Sequence, residues 1–261
     1  MTDLLDPLAG PFRYEGSNGE AAVLVHGFTG VPAHFRPMAQ VLADAGYTVV
    51  APLLAGHGTS IEDLAETGRD DWIESVRDAH RSVEAAHDRV HFVGLSMGGL
   101  ISIIVAAEVG AATISTINSP ISFRDKKARL SRLLHPFMPE VRWPEEEPPD
   151  MDDEVAPFFL TYPGFPTKAL ADLVSISRRA LRTAPEVGCP ALVVQSLVDE
   201  SVDPKSGAQL ARAFGPGTPL VWLKTSRHNA LLDRERDTIH QAVLDRFASE
   251  SRARFDIVSR P

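Results

Sequence analysis

Apolar residues along the chain follow two alternating patterns. Short, nearly continuous apolar runs occur at 21–26 (AAVLVH), 47–51 (YTVVA), 90–93 (VHFV), 113–117 (TISTI), 191–195 (ALVVQ) and 219–223 (PLVWL). That is the form of a strand buried on both faces. Between them the spacing turns helical. Met38, Val41, Leu42 and Ala45 share one face and stop at Gly46; Trp72, Val76, Ala79 and Val83 repeat the pattern from about Asp70. An apolar segment at 100–108, a segment at 204–214, and a final one from about Asp233 with Ile239, Val243 and Phe247 complete the set. Strand–helix alternation of this kind predicts an α/β fold, with a mainly parallel central sheet and helices on both faces.

The rhythm breaks between 121 and 167. A basic amphipathic piece, DKKARLSRLLHPFM (125–138), is followed by the acidic EEEPPDMDDE (145–154) and the aromatic APFFLTYPGF (156–165). An insertion of this size after a strand predicts a cap over a site, with 1–120 and 168–261 forming the core. Leu133, Phe137, Phe158 and Phe159 are the large apolar side chains expected to line a substrate pocket.

Composition narrows the class. The chain has 261 residues, 44% hydrophobic and 23% charged, as expected of an ordinary globular domain. Its net charge is −9, of which 145–154 supplies seven acids and no base, a solvated loop on composition. Nucleic-acid binding needs a basic face and is not expected. One cysteine, Cys189, cannot form an internal disulfide. The start, MTDLLDPLAGPFRYEG, lacks the basic and apolar regions of a secretion signal, and the longest apolar run, 100–107, is too short to span a bilayer. A cytoplasmic location without an integral membrane segment is the expectation. There is no HExxH and no Cys/His cluster, so neither metal nor cofactor is expected.

The chemistry centres on Gly94-Leu95-Ser96-Met97-Gly98. A serine on a tight strand-to-helix turn, flanked by glycines, is the nucleophile elbow of acyl-transfer enzymes. The five-residue pattern is weak alone; the strand before it and the apolar helix after it give it weight.

A base must follow in the chain. Of nine histidines, His80, His87 and His240 fall on charged or terminal helices, His34 and His135 in polar neighbourhoods, His91 at a strand start and His57 in a GHG loop. His228 in SRHNALLD lies between the last strand and last helix, at the carboxyl edge where open sheets build their sites. The acid belongs between serine and histidine. SLVDESVDP offers Asp199, Glu200 and Asp203; Asp203 precedes Pro204 and a helix, which makes it a natural cap. Asp199 is therefore favoured, with Asp203 the alternative. An oxyanion hole would use the amides of Met97, after the nucleophile, and Phe28, in His26-Gly27-Phe28-Thr29-Gly30 after the first apolar run. The Phe28 side chain would then border the acyl pocket.

The segments HGFTG (26–30), GHG (56–58), TGRDDW (67–72), GLSMGG (94–99), QSLVDESVDP (195–204) and SRHNALLDRERD (226–237) together resemble the small bacterial carboxylesterases and monoacylglycerol lipases of the α/β-hydrolase superfamily. The resemblance implies that fold, a small cap after the strand ending near Asn118, and cleavage of short- to medium-chain acyl esters or monoacylglycerols. It implies the same roles for Phe28, Ser96, Asp199 and His228. The acidic 145–154 departs from the family pattern. Two rival readings are a hydrolase of another acyl bond, thioester or carbon–carbon, and a non-catalytic ligand-binding relative. Dehalogenases and epoxide hydrolases of this fold use an aspartate nucleophile, which Ser96 argues against.

Overall fold

A computed structural model describes residues 6–143 and 151–258. In chain order its elements are β1 (Phe12–Tyr14), β2 (Glu20–Val25), α1 (Arg36–Asp44), β3 (Thr48–Ala51), α2 (Ile61–Glu66), α3 (Arg69–Glu84), β4 (Arg89–Leu95), α4 (Met97–Val109) and β5 (Thr113–Ile117). There follow α5 (Ser131–Leu134), β6 (Glu140–Arg142), β7 (Gly164–Pro166), α6 (Thr167–Thr183), β8 (Ala191–Ser196), α7 (Lys205–Phe214), β9 (Leu220–Leu223) and α8 (Arg236–Val258).

Seven strands form one sheet in the order β1-β3-β2-β4-β5-β8-β9. All pair in parallel except β1, which runs antiparallel to β3 at the edge. The continuous apolar runs have a direct cause. In β2, Ala21, Val23 and Val25 enter a core beneath α3, α4 and α6, while Ala22 and Leu24 enter a second core beneath α1 and α8. β8 divides its residues the same way, Ala191 and Val193 against Leu192 and Val194. A strand covered on both faces has no polar side to alternate with.

Between β5 and α6 the described residues carry only short elements: one turn of α-helix, the two-stranded antiparallel sheet β6–β7, and 3₁₀ turns at Lys126–Leu130 and Ala156–Phe158. Most of the acidic stretch, 145–150, lies outside the described residues. Its remainder includes Asp152, which pairs with Arg236 at 2.5 Å.

Outside the insertion three elements were not expected, and within it neither was the β6–β7 pair. β1 is three residues long and α2 six, both short for a periodic signal. The 17-residue α6 is different. It buries Ala169, Leu173, Ile176 and Ala180 at helical spacing, a pattern present in the sequence but absent from the expected element list. No helix among the described residues is long and apolar enough to cross a membrane.

Candidate active site

The site is assembled at the carboxyl ends of β2, β4, β8 and β9, where parallel strands deliver their loops to one edge. β4 ends at Leu95 and α4 begins at Met97, leaving one residue, Ser96, to make the turn. Its backbone stands at φ 54°, ψ −120°, a strained conformation for a side-chain-bearing residue. Two glycines permit it. A Cβ on Gly94 would lie 2.3 Å from the backbone of Gly98, and a Cβ on Gly98 would lie 2.0 Å from the Val25 carbonyl oxygen. Strand, helix and the neighbouring β2 can approach only because both positions lack a side chain.

The structure brings Ser96, His228 and Asp199 into one line. The Ser96 hydroxyl lies 3.0 Å from His228 Nε2, and His228 Nδ1 lies 2.8 Å from Asp199 Oδ2. Asp199 is fully buried; Ser96 is 7% exposed, at the floor of a cavity. The other carboxylate oxygen, Asp199 Oδ1, accepts the backbone N–H groups of Ser201 at 2.8 Å and Val202 at 2.7 Å. A carboxylate can only accept, so His228 Nδ1 carries a proton and the neutral ring presents a bare Nε2 to the serine. Removal from solvent pushes the His228 pKa down. The charge and hydrogen bond of Asp199, with the charge of Glu200, outweigh that, and the net shift is upward.

Asp203, the alternative acid, is occupied elsewhere. Its Oδ1 accepts the Lys205 N–H at 3.0 Å at the start of α7, as a helix cap does, and it does not line the cavity.

The loop 26–30 passes directly beside the serine: a Cβ on Gly27 would sit 3.1 Å from Ser96 Cβ. Among the described loop and turn hydrogen bonds, the N–H groups of Phe28 and Met97 are not spent on backbone carbonyls. Thr29 holds a left-handed φ of 58°, and its carbonyl accepts both the Tyr162 N–H and the Thr161 hydroxyl at 3.2 Å. The aromatic end of the insertion thus straps the loop down.

Beneath it lies a box of rings that accounts for two of the resembling motifs. Phe28 packs on Trp72 and Phe165 with centroids 6.1 and 5.7 Å apart, and His57 stands edge-on to Trp72 at 5.7 Å and to His26 at 5.1 Å. His26 Nδ1–H donates to the Gly27 carbonyl at 2.9 Å while its Nε2 accepts the Leu54 N–H at 3.1 Å, tying this loop to the GHG loop. Asp71 accepts the Gly68 N–H at 3.0 Å and closes the start of α3.

The cavity has a volume of about 640 Å³ and is mostly apolar. Phe28 and Phe159 line it as expected from the sequence. Three expected residues do not. Leu133 and Phe137 are 70% and 88% exposed, and Phe158 packs against the core instead. Their neighbours Leu134 and Met138 face the cavity, together with Ala128 and Ser131. The cause is helical period: 128, 131 and 134 fall on one face of the turns, and the bulkier residues at 130, 133 and 137 fall on the other. From the far side come Trp143, Phe165, Leu170 and Leu173. A second, polar cleft, lined by His80, His87 and Cys189, sits at the opposite, amino edge of the sheet. Among the described residues no three His, Cys, Asp or Glu side chains are grouped to hold a metal ion.

The histidines around the site give a stability prediction. Burial pushes the pKa values of His34 and His57 down to about 4. Each ring donates one N–H to a carbonyl, His34 to Leu160 at 2.8 Å and His57 to Ala55 at 3.1 Å, and neither second nitrogen has a described partner. Unfolded, such rings titrate at about pH 6.5. The unfolded chain therefore binds more protons between those values, so this stability is complete above about pH 6.5 and lost as pH falls toward 4. Urea unfolding at pH 7.5 and 5 should show the loss, and His57→Phe should flatten the dependence. An unchanged slope in that folded variant would contradict the assignment.

A strained serine on a strand-to-helix turn, a histidine and a buried aspartate in hydrogen-bond sequence, and an open parallel sheet define the α/β-hydrolase class. The chain belongs to the alpha/beta hydrolase family, whose sequence model matches residues 22–242. It is 29% identical to a carboxylesterase of Bacillus subtilis (strain 168), over 90% of this chain and 94% of that protein. It is also 29% identical to a thermostable monoacylglycerol lipase of Bacillus sp. (strain H-257), over 96% of this chain and all of that protein. A solved structure from work on LipS and LipT, two metagenome-derived lipolytic enzymes, superposes with a TM-score of 0.84. It is 30% identical and covers 93% of this chain and 98% of its own.

Proposed function

We propose that this chain, an ester hydrolase, cleaves carboxylic esters of short- to medium-chain acyl groups, monoacylglycerols among them, through a Ser–His–Asp mechanism. The observation that carries the reading is the continuous line from Ser96 Oγ through His228 to Asp199, 3.0 and 2.8 Å, on the floor of an apolar cavity. Ser96 attacks the ester carbonyl as His228 Nε2 takes its proton, and the imidazolium then protonates the leaving alcohol. Water repeats the sequence on the acyl-enzyme. Asp199 holds the ring in the competent tautomer and stabilises its charged form without taking the proton. The Phe28 and Met97 amides would hold the oxyanion, each donor being worth on the order of 3 kcal/mol to the barrier.

The segment 121–167 acts as a cap in this reading, and its inner face with Leu170 and Leu173 forms the acyl pocket. The two Bacillus relatives, named a carboxylesterase and a monoacylglycerol lipase, support esters of this kind. The negative charge of the chain fits a small-molecule substrate better than a nucleic acid. A lone cysteine fits the cytoplasm.

A panel of p-nitrophenyl esters from acetate to laurate tests the pocket. The wild type should prefer chains beyond acetate, and Leu170→Trp should move the optimum to shorter chains by filling the cavity. A profile insensitive to chain length in both proteins would sink the pocket assignment.

A further inference from the structure

The loop that carries His228 leaves β9 at Leu223 without regular structure, yet it has to hold an imidazole within tenths of an ångström. Side chains from elsewhere take over its main-chain hydrogen bonds. Glu235 accepts the N–H groups of Lys224 at 3.0 Å and of Thr225 and Ser226 at 2.8 Å, and Asp233 accepts that of Arg227 at 2.8 Å. At His228 itself both main-chain groups are held. Its N–H donates to Glu200 Oε2 at 3.0 Å, and its carbonyl accepts Asn118 Nδ2 at 2.8 Å, which also reaches the Arg227 carbonyl at 3.3 Å. The other atom of the same amide, Asn118 Oδ1, accepts the Ser196 N–H at 2.8 Å, on the strand that leads to Asp199. Asn118 is fully buried and stands at φ 46°, which asparagine tolerates better than most residues.

We propose that Asn118 and Glu200 are positioning residues for His228, gripping its main chain from both sides so that the base is registered against the strand carrying the acid. The inference rests on the reading of His228 as the base. The two residues do different things. Asn118 is an uncharged, buried strut between β5, β8 and the His228 loop. Glu200 lies next to Asp199 and lines the cavity, so it adds a second negative charge beside the ring. Among the described residues the other charged or titratable groups near the ring include Arg124, whose guanidinium donates to the Asp199 carbonyl, Asp125 and Lys127 across the cavity, His34 from the connection after β2, and Arg227 and Asp233 on its own loop. Only Asp199 and Glu200 carboxylates bond to His228 among the described residues.

Glu200→Gln separates the two contributions, because glutamine keeps an oxygen for the His228 N–H and loses the charge. With p-nitrophenyl butyrate, the acid limb of kcat/KM against pH should move to lower pH. Glu200→Ala loses the grip as well and should lower kcat about tenfold further, with KM little changed. Asn118→Gly, which keeps the backbone conformation available, should lower kcat by roughly 10–100-fold at similar KM. It should also shift or broaden the downfield proton resonance of His228 Nδ1–H, assigned by its absence in His228→Ala. A general loosening of the fold would broaden that resonance too, but it would not move the acid limb, which reads the charge beside the ring. Glu200 is exposed, so its variants decide the matter even where Asn118→Gly fails to fold. A kcat in Glu200→Ala equal to that of Glu200→Gln, in an enzyme that His228→Ala inactivates, overturns the inference alone. Full activity in His228→Ala overturns the reading beneath it.

Discussion

Replacing Ser96 with alanine is expected to lower kcat for a p-nitrophenyl ester by about 10⁴-fold or more, with the fold unchanged. Alanine keeps the Cβ and removes only the hydroxyl oxygen, so the packing of the 26–30 loop beside this residue is undisturbed. The strained turn is fixed by Gly94 and Gly98 rather than by the hydroxyl. What disappears is the hydroxyl oxygen 3.0 Å from His228 Nε2, the atom that the proposed mechanism acylates. A 10⁴-fold loss corresponds to about 5.5 kcal/mol of barrier. The remaining rate over water would come from the hole amides and from binding, which the substitution leaves in place. Thermal unfolding of the variant, alongside its kinetics, separates lost chemistry from lost structure.

Asp199→Asn is expected to cost nearly as much, about 10⁴-fold in kcat. The direction follows from the hydrogen bonds around the carboxylate. Oδ1 already accepts two backbone N–H groups, from Ser201 and Val202, at 2.8 and 2.7 Å. In the asparagine variant the amide oxygen stays with those two donors, and the NH₂ group is turned toward His228 Nδ1. Two donors cannot face one another, so the ring takes the tautomer with its proton on Nε2 and can no longer accept one from Ser96. Asp203→Asn keeps an oxygen for the Lys205 N–H, 3.0 Å away, and should change kcat less than about threefold. The reverse ranking would transfer the role of acid to Asp203.

How far the sequence discloses this molecule depends on which physical signal each part leaves. The central strands are legible because burial on both faces leaves them no solvated polar side, as in Ala21–Val25, where every side chain is buried and apolar. Ser96, Asp199 and His228 are legible because each sits just past the end of such a strand and their order along the chain is restricted. The insertion is harder. Side-chain size points to Leu133 and Phe137, whereas the turn exposes those and directs Leu134 and Met138 toward the cavity. The helical period through Ala128 and Ser131 marks the inward face instead. α6 carries an ordinary amphipathic signal, but it follows the aromatic segment directly, with no side-chain cap to mark its start. Asn118 and Glu200 leave no pattern of their own. Their effect lies in main-chain hydrogen bonds between loops more than 25 residues apart, which periodicity cannot report.

The central claim, that Ser96 is the residue acylated during turnover, is tested most directly by trapping. Incubation with a fluorophosphonate should stop ester hydrolysis and add one reagent-derived group per chain, and peptide mass spectrometry should place it on Ser96. Loss of activity with the group on another residue, or full activity in a chain labelled at Ser96, would contradict the account.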